Sequence, residues 1–450
     1  MQELPLFPYA PYDPAVDSYC FSRTNLGYGT AVPLEYGGWR QEQVAAMESC
    51  YLHAGLNPQP CYRVAGPDAL RFFSETCVNG FSNFPVGAMK HAIMCSERGR
   101  VMAHGVLLRV AEDEFITTYL APYAVYRLQT GDYDARGESV DGRFTFQLAG
   151  PRSLEVLETA ARECLHDVAF GRHRMSAVAG ATVRVIRLGM AGTLAYEVNG
   201  VMGDAARVYQ ALVDAGAAFG LEKLGLTAYR MNHTPGGFPQ AFVHFPVAWG
   251  DDQGFTAWTR ANSRGDRPGM RLRGSMGADM EPRYRDPLEL GWGKAVKFDH
   301  DFTGRAALEQ RAAEQRRTMV TLVWDAEDIL DVHASQFRPG EPFMPMEPIH
   351  EAQEGGVPVL YADRVVRDGA LVGVSSGRTY SHHFREMLSL CSLDTESARP
   401  GTEVSVVWGD PGMRQREIRA TVSRFPYVDR DRNERVDVTT IPCTIDPEGV

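Results

Sequence analysis

The apolar positions of this chain change period repeatedly along its length, and each change marks an element. Residues 39–55 (WRQEQVAAMESCYLHAG) carry them at helical spacing up to Gly55, which predicts a helix. Residues 61–66 (CYRVAG) predict a strand, and 67–79 (PDALRFFSETCVN) a helix opened by a proline and an acidic residue. Residues 97–126 alternate on both sides of AEDE and then turn helical, so a hairpin followed by a helix is expected. At 143–163 a strand, RFTFQLAG, runs into a helix starting at Pro151. From about residue 318, valine-rich alternating segments between Gly, Pro and Asp turns predict a separate β-rich domain. Strand–helix units mixed with antiparallel strands make an α+β chain. Residues 1–18, rich in Pro and Tyr and aperiodic, read as an extended arm over the surface or a partner subunit of a homo-oligomer.

Composition narrows the classes. A chain of 450 residues, 44% hydrophobic, can bury several cores. A formal net charge of −11 and a pI near 5.6 argue against a nucleic-acid partner. The start, MQELPLFPYAPYDP, lacks the basic and apolar regions of a signal peptide, and no apolar run of about 18 residues occurs, so a cytoplasmic protein without a membrane partner is expected. The eight cysteines show no C-x-x-C pair and no zinc-like Cys/His spacing; inert reduced thiols and no metal are expected. Dinucleotide, P-loop and zincin motifs are missing, which removes nucleotide cofactors from the reading. The acidic run 325–331 (DAEDILD) reads as a solvated helix start.

Five segments carry more specific information: 187–200 (RLGMAGTLAYEVNG), 221–239 (LEKLGLTAYRMNHTPGGFP), 296–309 (VKFDHDFTGRAALE), 318–337 (TMVTLVWDAEDILDVHASQF) and 372–393 (VGVSSGRTYSHHFREMLSLCSL). In order and spacing they resemble the aminomethyltransferase (glycine-cleavage T-protein) superfamily, and within it the tetrahydrofolate-dependent O-demethylases of vanillate, 3-O-methylgallate and syringate. The resemblance covers roughly residues 20–425. It implies an α+β, three-domain clover-leaf fold with a C-terminal β-barrel-like domain. The implied domains are 1–59 with 140–229 (folate-binding), 60–139 with 230–305, and 306–450.

The resemblance also implies site residues. Glu197 stands where the family's folate-binding glutamate ends its Gly-rich motif; a carboxylate there can accept two hydrogen bonds from the pterin edge. Gln147 matches a glutamine of the same pocket. Phe238 replaces a tryptophan that lies against the folate. Tyr229 takes the place of the tyrosine that serves the departing phenolate, and its unperturbed pKa of about 10 matches a phenol leaving group. His104 replaces an aspartate and can polarise a phenol hydroxyl or act as a base. His53, His91, Tyr28 and Tyr119 lie on segments that border the family's central channel. The arginine that pairs with the substrate carboxylate is here Leu120, and the tyrosine and histidine flanking the methoxy ring become Gly29 and Pro58, so the substrate is not expected to be held as vanillate is. Asp331-Val-His333 lacks the glycine of a corrinoid motif, so no corrinoid is expected.

The leading reading is transfer of a methyl group from a lignin-type methoxyarene to tetrahydrofolate. Two alternatives stay open: an N- or S-methyl donor held by tyrosines 28, 119, 123 and 126, and a non-catalytic folate-binding protein.

Overall fold

The computed structural model describes residues 18–23, 29–57, 61–262, 270–350, 353–354 and 357–445. Tyr28, Pro58 and most of the N-terminal arm lie outside them.

Two sheets and a barrel organise the chain. The first sheet runs, in spatial order, through His173–Val178, Ala181–Arg187, Ala195–Val201, Arg143–Ala149, Cys50–His53 and Leu221–Leu224. The second runs through Met89–Cys95, Val101–Ala111, Glu114–Thr118, Cys61–Ala65 and Arg136–Val140. In the C-terminal region Arg317–Trp324, Glu386–Asp394, Ala370–Ser381, Asp363–Arg367, Glu403–Trp408 and Arg416–Ser423 close into an antiparallel barrel. Closure leaves no free edge, which valine-rich alternating strands need in water.

The first sheet has two different faces because its side chains alternate. Phe144, Phe146, Leu148, Tyr196 and Val198 all enter one apolar core. Their neighbours Thr145, Gln147, Glu197 and Asn199 therefore point the other way, toward the second sheet. A small apolar contact of Leu108, Ile186 and Leu188 joins the sheets.

The expected helix over 39–55 is a helix only for Trp39–Glu48; after Ser49 the chain becomes the strand Cys50–His53. All four strand residues are buried, paired antiparallel to 143–149 and parallel to 221–224. Two partner strands outweigh the weak helical spacing of CYLH. The run 325–331 starts the helix Ala326–Ser335, capped by Asp325, but it is not wholly solvated. Asp328 is buried and ion-paired with Arg416 and Arg419 at 2.9 Å each.

The segment 296–309 is a packing element. Val296, Phe302 and Leu308 share a core with Val78, Ile93 and Val101 of the second unit and Met319 and Leu390 of the barrel. It fastens the barrel to the second sheet and lies outside the polar face of the first.

Candidate active site

Tyr229 is presented by the helix Leu226–Gly236. The helix begins at Gly225, where a Cβ would come within 2.2 Å of the Leu34 carbonyl oxygen, so only glycine fits. It ends at Gly237 in the left-handed region (φ 69°), which turns Phe238 back toward the second sheet. Tyr229 is 4% exposed. Its ring stacks on His53, with centroids 4.0 Å apart and planes 7° from parallel, and meets His233 edge-on at 4.7 Å.

The two histidines have defined tautomers. His53 Nδ1 lies 3.0 Å from the Leu224 carbonyl and His233 Nδ1 lies 2.8 Å from the Tyr229 carbonyl. A carbonyl only accepts, so each Nδ1 carries the proton and each Nε2 is bare. Both Nε2 atoms are buried without a partner among the described residues. Burial pushes both imidazoles down to about 4.

Across the first sheet, Ile186, Glu197, Gln147, His53 and Leu224 form one register row. Gln147 Nε2 donates to Glu197 Oε1 at 3.0 Å. Glu197 is 9% exposed and has no ion-pair partner among the described residues; burial raises its pKa, while hydrogen bonds from Gln147 and Asn199 oppose that shift. Asn199 Nδ2 donates in turn to Thr145 Oγ1 at 2.9 Å. Burial, with further contributions from Tyr119, Tyr51 and Glu197, raises the Tyr229 phenol well above its ordinary range. Tyr229 is therefore a neutral hydrogen-bond donor and a weaker acid than an exposed tyrosine. This corrects the near-balanced proton transfer expected from an unperturbed phenol.

His91 and His104 form a second group. His91 Nε2 and His104 Nδ1 are 3.1 Å apart, so one N–H is shared between them. Phe238, Trp292 and Phe245 surround the pair: His91 meets Trp292 at 4.6 Å and Phe238 at 5.4 Å, and His104 meets Phe245 at 5.8 Å. Burial pushes His91 down to about 4 and His104 well below its ordinary range. Two neutral rings sharing one N–H present one donor and one bare nitrogen outward. His233 links the two groups, lying 6.2 Å from Phe238.

The remaining expectations separate. Tyr119 is 47% exposed, at a φ of 66° just after the strand 114–118. Leu120 is fully buried in the second core with Phe115, Tyr123 and Ala124. It is a core side chain and not a pocket wall. Leu120→Arg is therefore expected to destabilise the protein by several kcal/mol, seen as a lowered Tm or lost soluble yield, because the charge would be buried unpaired. A variant of unchanged Tm would place residue 120 outside the core. Tyr123 and Tyr126 turn their hydroxyls to Asp252, at 3.2 and 3.5 Å.

Sequence reasoning missed Trp292, Phe245, His233, Asn232, Arg143 and Arg184. Asn232 is 2% exposed, one turn beyond Tyr229, and both its side-chain polar atoms lack a partner among the described residues. Arg143 and Arg184 line a gap of about 20 Å³ beside Glu197, together with Cys61, Ile116 and Thr118 of the second sheet. The alternation in 181–187 (ATVRVIR) marks Arg184 as a polar-face residue; nothing in the sequence marks Trp292. A larger cleft of about 450 Å³, lined by Arg100, Glu281, Arg285 and Arg311 among others, contains none of the expected site residues.

Stability should respond to pH through the buried histidines. His53, His91, His173 and His233 sit near 4 and His244 near 3, against about 6.5 in an unfolded chain. Below about 6.5 the unfolded state takes up these protons first, so each histidine removes up to about 1.4 kcal/mol per pH unit. Their stabilising contribution is intact above pH 6.5 and is lost as pH falls toward 4. The raised carboxyls Glu42, Glu197, Glu289 and Asp363 oppose this, but they are fewer than the lowered histidines, which also include His104 and His350. Tm is expected to fall between pH 6.5 and 4.5; a flat profile would contradict neutral burial.

A buried carboxylate without an ion-pair partner among the described residues, an amide beside it, and an aromatic wall with a neutral phenol bring hydrogen-bond acceptors and flat apolar faces together. The model of the GCVT N-terminal domain matches residues 27–240. The chain is 45% identical over 423 residues to a sesamin methylene transferase of Sinomonas sp., covering 91% of this chain and 93% of that protein. It is 32% identical over 442 residues to a syringate O-demethylase of Sphingobium sp., covering 92% and 93%. The crystal structure of glycine cleavage system aminomethyltransferase T from Bartonella henselae shares the fold, with a TM-score of 0.69 at 16% identity over 95% of this chain and 99% of that one. The chain belongs to the aminomethyltransferase (glycine-cleavage T-protein) superfamily, among its tetrahydrofolate-dependent demethylases, and is an enzyme of that group. Similarity to the methylene transferase exceeds that to the O-demethylase, a distinction the motifs alone do not draw. Among the described residues no helix is long and apolar enough to cross a membrane.

Proposed function

We propose that this enzyme moves the one-carbon unit of an aryl ether to tetrahydrofolate, a lignin-type methoxyarene giving a phenol and 5-methyltetrahydrofolate. The observation that carries this reading is the neutral, buried Tyr229 beside the Glu197–Gln147–His53 row.

Tetrahydrofolate is the co-substrate whose N5 supplies the nucleophile for the methyl carbon. Glu197 suits its pterin edge because the carboxylate is buried, held by amide donors and free of a cation, and so retains acceptor capacity. Phe238 gives that ring an apolar face. Tyr229 donates its hydroxyl hydrogen bond to the ether oxygen as the C–O electron pair moves onto it. The proton that ends on the phenol balances the one lost from N5, so Tyr229 finishes as it began. With Leu120 in the core, no arginine at that position meets a substrate carboxylate.

A second reading is favoured by the 45% identity to a methylene transferase. A methylenedioxy-bridged arene would lose both aryl oxygens from one carbon and give 5,10-methylenetetrahydrofolate and a catechol. The second departing oxygen then needs its own donor, and the outward N–H of the His91–His104 pair supplies one.

The deciding experiment incubates the enzyme with tetrahydrofolate and panels of methoxyarenes, methylenedioxyarenes and onium donors, assaying folate products by mass spectrometry. 5-Methyltetrahydrofolate from a methoxyarene supports the first reading, and the methylene product from a bridged arene supports the second. Product from onium donors alone, or tight folate binding without product, would overturn both.

A further inference from the structure

A second cluster of chemistry-bearing side chains lies outside the folate site. Glu158 sits on the helix Ser153–Ala161 and is fully buried. The helix stops at Arg162 in the left-handed region (φ 54°), which returns Cys164 and His166 toward it. A carboxylate oxygen of Glu158, Cys164 Sγ and His166 Nε2 lie within 4.8 Å of one another. The C-terminal segment crosses the same helix: Thr444 N donates to Glu158 Oε2 at 3.3 Å, and Thr159 Oγ1 to Thr444 Oγ1 at 3.4 Å. That crossing places the exposed Cys443, next in the chain to Thr444, beside the same helix.

One atom of this cluster is unexplained. His166 Nε2 is 3.4 Å from Glu158 Oε1 but is not aligned for a hydrogen bond, and it is buried without a partner among the described residues. Glu158 accepts from Leu165 N at 2.7 Å as well as from Thr444 N, which fixes its carboxylate while leaving lone pairs unused. An oriented carboxylate, an imidazole nitrogen and one thiol converge on one point, and Cys443 adjoins the backbone N–H that donates to that carboxylate.

We propose that Glu158, Cys164, His166 and Cys443 bind a zinc ion that fastens the C-terminal segment to the helix of residues 153–161. Two thiolates and an imidazole select a thiophilic divalent ion, and zinc accepts a carboxylate as its fourth tetrahedral ligand. Bond lengths of about 2.0–2.3 Å place tetrahedral ligand atoms roughly 3.3–3.8 Å apart, so Glu158, Cys164 and His166 need only a small contraction, and Cys443 completes the set by a movement of the C-terminal segment. Each thiol gives its proton to solvent as its bond to the metal forms, and no oxidant is required. A disulfide between Cys164 and Cys443 would use two of the four groups and leave His166 Nε2 without a partner.

The test uses the full chain, kept reduced with a non-thiol reductant and titrated with cobalt(II) and then zinc(II). One equivalent of cobalt should bind, with a near-ultraviolet thiolate-to-cobalt band and intense visible bands of tetrahedral geometry, and zinc should displace it. Cys443→Ser and Cys164→Ser should each lose about half of the thiolate band, and His166→Ala should weaken binding at least tenfold. Cys443→Ser should keep full folate-dependent turnover, which shows that the fold survives. Failure to bind cobalt or zinc under reducing conditions would overturn the proposal. So would an unchanged cobalt spectrum in Cys443→Ser, or a Cys164–Cys443 disulfide in protein isolated free of zinc.

Discussion

Replacing Tyr229 with phenylalanine is expected to lower turnover roughly 10²- to 10³-fold while folate affinity stays within about twofold. The substitution removes only the hydroxyl, so the stack on His53 at 4.0 Å and the edge contact with His233 remain, and Tm should hold. The loss falls on kcat because the hydrogen bond strengthens as charge builds on the departing oxygen. Burial keeps the phenol protonated across neutral pH, so no limb of the pH–rate profile below pH 10 should come from Tyr229. Single-turnover kinetics with a folate fluorescence titration separate the two effects. A fully active Tyr229→Phe would end the assignment, whichever ether proves to be the substrate.

The second large effect is expected at Glu197. Glu197→Gln should weaken folate binding about 10- to 100-fold, since a hydrogen bond to a charged group contributes about 1.5–3 kcal/mol, and should leave kcat at saturating folate nearly unchanged. The same change should not lower Tm and is expected to raise it. The native carboxylate is buried with no ion-pair partner among the described residues, and the amide avoids that desolvation cost. Weaker binding in a protein at least as stable is the signature of a group kept for a ligand. Because burial raises the Glu197 pKa, folate affinity should also fall as pH drops toward the carboxylate range and the anion is lost. A pH-independent Kd for folate, or a destabilised Glu197→Gln with normal affinity, would make Glu197 a structural residue.

The motif that marks the family most clearly, 296–309, lies in the packing between the second sheet and the barrel. Its apolar residues Val296, Phe302 and Leu308 are core side chains. His53, by contrast, is only one of several channel-bordering residues in the sequence, yet in the fold it lies against the catalytic candidate. The difference is physical: a short stretch of sequence records how its own side chains are sided, but which residue is stacked upon depends on segments far away.

The sequence by itself determined the sidedness of the strands and thus the chemistry of the polar face. In FTFQLAG and AYEVNG the period-2 alternation separates Phe144, Phe146, Tyr196 and Val198 from Gln147 and Glu197, and the structure keeps that separation. It also determined that the valine-rich C-terminal region is a separate β domain, while its closure into a barrel is a matter of how the strands pair. Only the tertiary structure decided that residues 50–53 leave their helix to pair with two strands, that Leu120 belongs to a core, and that Trp292 closes around His91 and His104. It alone brought the C-terminal segment, at Thr444, to Glu158. Each of these is a choice among partners distant in sequence, settled by competition for burial and backbone pairing that no local period encodes.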